Sequence, residues 1–258
     1  MEFINFKVEQ NIAWIYLNRP QVFNSFHRGM ALELLDILRQ VEQDTKIRCV
    51  VLSGEGKAFC AGQDLQEATD PMGPGLEKII TEHYNPIIRK IRELKKPVIA
   101  AINGVAAGAG ANIALACDIV VATESASFIQ AFSKIALIPD SGGTFFLPRL
   151  IGWQKASAMM MTGEKIMAID ALQMGMIYKV FSDTLFPSEV EKLALQIALM
   201  PTQALVLTKK LLNESFSNTL EEQLNSELRT QIESGQTDDF KEGIQAFLEK
   251  RSPVFKGQ

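Results

Sequence analysis

Cysteine, histidine and tryptophan are scarce in this chain, at three, two and two among 258 residues. Cys49, Cys60 and Cys117 form neither a metal-ligand pair nor an even disulfide set, so they are expected as buried free thiols. That usage fits a reducing, cytoplasmic compartment. His27 and His83 stand far apart, and neither adjoins a Ser or Cys nucleophile motif. Both are expected on helix surfaces, and no His/Cys/carboxylate spacing implies a metal. Basic charge is in deficit: 26 Lys and Arg against 30 Asp and Glu give a formal net charge of −4. A nucleic-acid partner, which wants a basic face, is not expected. No apolar run reaches the ~18 residues of a membrane span, and the charged start MEFINFKVEQ has no signal-type apolar region. The expectation is a soluble intracellular protein without a membrane partner.

What is present is a regular alternation of apolar strands and amphipathic helices. Phe3 to Val8 and Ile12 to Leu17 read as strands around a polar turn. Met30, Leu34, Ile37, Leu38 and Val41 share one face of a helix predicted from Ser25. CVVLSG (Cys49 to Gly54) and VIAAI (Val98 to Ile102) are fully apolar strands of the parallel type. Between them lie a Pro/Gly-rich surface loop, Thr69 to Gly75, and a helix from Leu76 to Leu94 kinked at Pro86. Strands are also expected at Ile119 to Thr123, Ala126 to Phe128 and Met176 to Phe181. From Ser188 onward only amphipathic helices remain. The pattern is α/β (α+β), with a core over 1–187 and a helical region over 188–258.

Two strands end in turns poor in side chains. Ala61-Gly62-Gln63-Asp64-Leu65 follows the strand at Cys49, and Gly108-Ala109-Gly110-Ala111 opens an Ala-rich helix after the strand at Val98. Such turns leave backbone N–H groups bare, suited to negative or developing negative charge. Gly108-Ala109-Gly110 is not a dinucleotide fingerprint, because Ile113 stands where its last Gly or Ala belongs. Nor does a Gly-Lys-Ser/Thr follow to make a phosphate loop. Two converging N–H donors instead make an oxyanion hole. The remaining candidate is Asp140, in Ile138-Pro139-Asp140-Ser141-Gly142-Gly143-Thr144, with a mostly apolar neighbourhood. It has two readings: the N-cap of the helix that follows, or a buried base with raised proton affinity.

These segments together resemble the crotonase (enoyl-CoA hydratase/isomerase) superfamily. Leu17-Asn18-Arg19-Pro20 with Asn24, Lys57 to Leu65, Lys96 to Gly110, Ile138 to Thr144 and Phe247 to Phe255 occur in that family's order over almost the whole chain. The resemblance implies a ββα-spiral core with a helical C-terminal trimerisation region, and a homotrimer or homohexamer. It implies an acyl-CoA thioester substrate, with coenzyme A as part of that substrate and no separate cofactor. The family's oxyanion hole falls on the amides of Gln63 and Ala109. Ala61 and Gly62 to Gln66, including Asp64 and Leu65, should lie along the CoA, with Gly110, Asn112 and Phe132 lining the substrate. Phe247 and Lys250 match positions that reach the CoA from a neighbouring subunit. Phe132, Phe145, Phe146 and the 71–86 segment are expected to shape the acyl pocket.

The departures are as informative as the matches. The two glutamates of the family's hydratases fall on Asn112 and Phe132, so neither the group that activates water nor the group that protonates carbon is present at its usual place. Asp140 supplies one carboxylate instead. One base suffices to move a proton between C2 and C4 of an enoyl thioester while an oxyanion hole holds the dienolate, the logic of an Asp base in ketosteroid isomerase. The Ile-Pro-Asp-Ser-Gly-Gly-Thr segment is similar to the superfamily's isomerases of ring-epoxide and unsaturated acyl-CoA esters. The expected activity is that of an isomerase. A hydratase using Asp140 alone and an idle CoA-binding homologue are the alternatives.

Overall fold

The computed structural model describes residues 2–258. The chain opens with an antiparallel hairpin, β1 (Ile4–Glu9) and β2 (Ile12–Leu17), closed by Gln10 and Asn11 at φ 50° and 63°. Positive φ at both turn residues matches the twist of the strands they join. α1 (Arg28–Gln43) starts later than Ser25 because His27 caps it, its Nδ1 accepting from the Met30 N–H at 3.0 Å. Then come β3 (Cys49–Gly54), β4 (Ala58–Cys60), α2 (Leu65–Thr69) and α3 (Gly75–Lys78). The helix expected from Leu76 to Leu94 runs without a break from α3 through a widened π turn, Ile79–Tyr84, into α4 (Asn85–Glu93). Pro86 lacks an N–H and its ring crowds the preceding turn, so the backbone opens just before it.

The pattern of long strand, tight turn and short strand then repeats. β5 (Val98–Ile102) and β6 (Val105–Ala107) precede α5 (Ala109–Leu115), and β7 (Ile119–Thr123) and β8 (Ser127–Ile129) precede a 3-10 turn at Ala131–Ile135. α6 (Gly143–Ile151), α7 (Trp153–Thr162), β9 (Lys165–Met167), α8 (Ala168–Gln173) and β10 (Lys179–Phe181) complete the sheets. The long strands and the short β10 form one sheet in the order β1-β2-β3-β5-β7-β10, parallel except for the first hairpin. The other short ones form a second sheet, β4-β6-β8-β9, in which only β9 runs antiparallel. Each passage from long to short strand carries the chain from one sheet to the other, which is the ββα repeat.

Four helices end the chain: α9 (Phe186–Ala198), α10 (Thr202–Glu214), α11 (Leu220–Ser234) and α12 (Asp238–Glu249). α9 buries Phe186, Val190, Ala194 and Ala198 against Trp14, Cys49, Val51 and Ile99 on the outer face of the large sheet. The boundary expected at 187 therefore falls inside a helix that belongs to the core. α10 is pinned through the buried Lys209, whose Nζ meets the Asp118 carboxylate at 2.9 Å and the Ile91 carbonyl at 2.7 Å. α11 and α12 leave Leu220, Leu224, Leu228, Phe247 and Leu248 exposed. Among the described residues no single helix is long and apolar enough to cross a membrane.

Candidate active site

The two side-chain-poor turns meet. Gly62 has φ +94°, and a Cβ placed on it would stand 3.0 Å from the Ala107 carbonyl oxygen and 3.6 Å from the Ala109 nitrogen. Only glycine lets the turn after β4 come this close to the turn after β6. Phe26 braces the first turn: its N–H donates to the Gly62 carbonyl at 2.7 Å, and its carbonyl accepts from the Asp64 N–H at 2.8 Å. Gly110 presses on β4 from the other side, since a Cβ there would lie 2.5 Å from the Cys60 carbonyl oxygen. Among the described residues the Gln63 and Ala109 N–H groups donate to no protein acceptor. Ala109 is the first residue of α5, where an N–H has no partner in its own helix. Two such amides from facing turns can donate to a single oxygen.

Asp140 does not cap α6. Gly142 holds that position and no side chain bonds the helix start, so the capping reading falls. The Asp140 carboxylate is half-buried and accepts one side-chain hydrogen bond, from Ser141 Oγ at 2.8 Å. Burial raises its proton affinity above the ordinary carboxylate range, and the Ser141 bond offsets this only in part. A carboxylate of this kind can take and return a proton. The turn is held from below: the Asp140 carbonyl accepts from the Gly143 N–H at 2.9 Å and from Asn112 Nδ2 at 2.8 Å.

Tyr84, at the end of the widened turn, holds the Gln63 side chain. Its buried hydroxyl donates to Gln63 Oε1 at 2.8 Å, and Gln63 Nε2 donates to Glu67 Oε2 at 3.1 Å. Burial chiefly, with Cys60 and Asp140 next, holds the Tyr84 phenol well above its usual pKa. Only its membership of the 71–86 segment pointed to it in the sequence. Gln130, which braces Asn112, carried no signal beyond being a polar residue after a short strand.

The remaining expected residues divide. Ala61, Leu65 and Gln66 are exposed on the rim, open to a ligand. The Asp64 carboxylate is engaged within the protein, by the Gln66 N–H at 3.1 Å and Arg19 Nη2 at 2.9 Å. Asn112 is fully buried, with both ends of its amide bonded to protein. The Phe132 ring reaches within 3.8 Å of where a Gly108 Cβ would stand, and so lies over the second turn. Phe145 does not join it. That ring sits under the Arg149 guanidinium at 3.8 Å and edge-on to Phe216 at 5.3 Å, facing the C-terminal helices. Phe146 packs at Gly142, with Arg92 5.7 Å above its ring. Phe247 and Lys250 end α12, exposed and sharing no hydrogen bond with the Ala61–Gln66 turn.

The histidine expectation is corrected. His27 is a helix cap, and His83 is 1% exposed beside Arg28, not on a helix surface. The three cysteines are free and buried, and burial pushes each thiol up to about 12, which leaves them poor nucleophiles.

Comparison with known proteins gives the same answer across the whole chain. The family profile described as "Enoyl-CoA hydratase/isomerase" matches residues 7–258. A 1,2-epoxyphenylacetyl-CoA isomerase of Escherichia coli (strain K12) is 46% identical over 261 residues, covering 100% of both chains. A probable enoyl-CoA hydratase of Rhodobacter capsulatus is 43% identical over 255 residues, covering 99% of this chain and 98% of that one. The crystal structure of an enoyl-CoA hydratase from Bacillus anthracis superimposes with a TM-score of 0.92 at 35% identity, covering 100% of each. The facing glycine turns and the ββα repeat are thus those of a crotonase fold, and the chain belongs to the enoyl-CoA hydratase/isomerase family.

Proposed function

We propose that the protein isomerises unsaturated acyl-CoA thioesters, with Asp140 as the single proton shuttle. The Gln63 and Ala109 amides receive the thioester carbonyl oxygen, which becomes negative as the enolate forms. With a 3-enoyl thioester, Asp140 removes a proton from C2. The electron pair shifts through the double bond and carbonyl into a dienolate, and the same carboxyl returns the proton to C4. The double bond moves to C2–C3 with no net change in atoms or electrons. The supporting observation is the half-buried Asp140 carboxyl, raised in proton affinity and carrying one side-chain donor.

The E. coli relative's name favours ring-derived epoxide thioesters as substrates, and Phe132 over the second turn supplies an aromatic wall for them. Hydration is the second reading, favoured by the name of the R. capsulatus relative. It needs two proton-handling groups, and Asn112 is wholly engaged with protein while Phe132 has none. Coenzyme A enters as part of the substrate. The exposed apolar faces of α11 and α12 support assembly as a homotrimer or homohexamer, in which Phe247 and Lys250 of a neighbouring copy reach the CoA. The free thiols fit a cytoplasmic setting.

Crotonyl-CoA, a straight-chain 3-enoyl-CoA and a ring-derived CoA ester, each incubated separately with the purified protein, test this. Isomerisation of the 3-enoyl or ring-derived ester is expected. Fast 3-hydroxyacyl-CoA formation from crotonyl-CoA would replace it with the hydratase, and no turnover of any ester would leave a CoA-binding scaffold.

A further inference from the structure

We infer that Asn112 is a positioning residue: its side-chain amide, braced by Gln130, clamps the turn that presents the Asp140 carboxylate. The inference rests on Asp140 being the base. Asn112 is 0% exposed and Gln130 1%. The Asp140 backbone carbonyl can only accept, so Asn112 must present Nδ2 to it, at 2.8 Å. Its Oδ1 then faces Gln130, which must present Nε2, also at 2.8 Å. The polarity of the chain is set from one end.

Three features show that this link holds something under load. Ser141 and Gly142 follow Asp140 at φ 52° and 74°. Serine in the left-handed region is strained and persists only where its surroundings hold it. Gln130 Oε1 is left buried without a partner among the described residues, a cost accepted to keep Nε2 on Asn112. And a Cβ at Gly143 would overlap the Asn112 amide, so glycine there is the space the clamp occupies. An ionised glutamate at 112 has no proton to donate to the Asp140 carbonyl. Asparagine at this position is therefore not merely a lost carboxylate; it supplies the donor that the single-base arrangement uses.

The test compares four variants with the unmutated protein on a 3-enoyl-CoA or whichever ester it turns over. Asn112→Asp keeps the shape and removes the donor. Gly143→Ala keeps Asn112 and displaces its amide, and serves also if the first variant fails to fold. Both are expected to lower kcat roughly 10- to 100-fold, the scale of an ångström's misplacement, with KM within about threefold. Melting temperature and circular dichroism report on folding. Asp140→Asn fixes the floor, and Asn112→Asp added to it should cost no further rate, because Asn112 acts through Asp140. Full kcat in both Asn112→Asp and Gly143→Ala overturns the clamp, as does a further loss in the double variant. An Asp140→Asn protein as active as the unmutated one sinks the base reading itself, which is a separate result.

Discussion

Two turns of this protein carry an aspartate two residues from a glycine, and they use it in opposite ways. At the first, Asp64 caps α2 by accepting from the Gln66 N–H and pairs with Arg19 at 2.9 Å, with both side chains largely buried. Arg19 in turn donates to the Ser25 carbonyl at 2.6 Å, tying the loop before α1 to the turn. At the second, Asp140 caps nothing and meets no cation among the described residues; one serine donor partly offsets its burial. A carboxylate whose lone pairs are taken by a cap and a guanidinium holds backbone in place. One that is desolvated and left with a single neutral donor keeps its appetite for a proton. The residue type is the same, and the partners decide whether it is scaffold or chemistry.

The largest expected effect separates these roles directly. Asp140→Asn should lower kcat by about 10²–10⁴, the usual contribution of a general base, while Asp64→Asn stays within about tenfold of the unmutated rate. Steady-state kinetics on the preferred ester checks both, and equal losses at the two sites would erase the distinction. Next is Gly62→Ala. Its backbone is at φ +94° and the new Cβ meets the Ala107 carbonyl, so the Gln63 amide should swing away from Ala109. A kcat loss of roughly 10²–10³ is expected, as for removal of one oxyanion donor; an unchanged rate would detach the first turn from the chemistry.

Stability should show the reverse order. Asp64→Ala removes a cap and half of an ion pair, and should cost about 1–3 kcal/mol in urea unfolding, whereas Asp140→Asn should cost nothing at neutral pH. The smallest effect lies in its pH dependence. Because the folded-state pKa of Asp140 is raised, the native state binds the extra proton between the ordinary carboxylate pKa and that raised value. Stability from this group therefore falls as pH rises through that window and is fully recovered below it. Asp140→Asn should melt slightly above the unmutated protein at pH 7, and the gap should close toward the acid side of the ordinary Asp range. A gap that widened on acidification would mean that Asp140 is charge-stabilised, like a paired carboxylate.

Much of this arrangement is readable without coordinates. Runs such as IAWIYL and VIAAI can only be buried strands, and the helical spacing of Met30, Leu34, Leu38 and Val41 leaves one buried face. The glycines at 62 and 110 mark backbone that must approach other backbone. The family pattern, carried by short segments in a fixed order, singled out Gln63, Ala109 and Asp140, and the tertiary structure brings the first two turns together. The strands β4, β6 and β9 were beyond reach because three residues hold too little periodicity to register, whereas β8 lies one residue on from the strand expected at Ala126 to Phe128.

What the sequence by itself determined is therefore local: which segments are apolar enough to be strands, where glycine is obligatory, and which carboxylate stands beside an apolar turn. The tertiary structure decided every question about partners. It settled that Asp140 is not a helix cap, that Phe145 turns away toward Phe216, and that His83 is buried. It also joined Asn112 to Asp140 and Tyr84 to Gln63, pairs separated by 28 and 21 residues. A side chain's propensities are written in its own neighbourhood, but its hydrogen bonds and desolvation come from whichever elements the packed core sets against it.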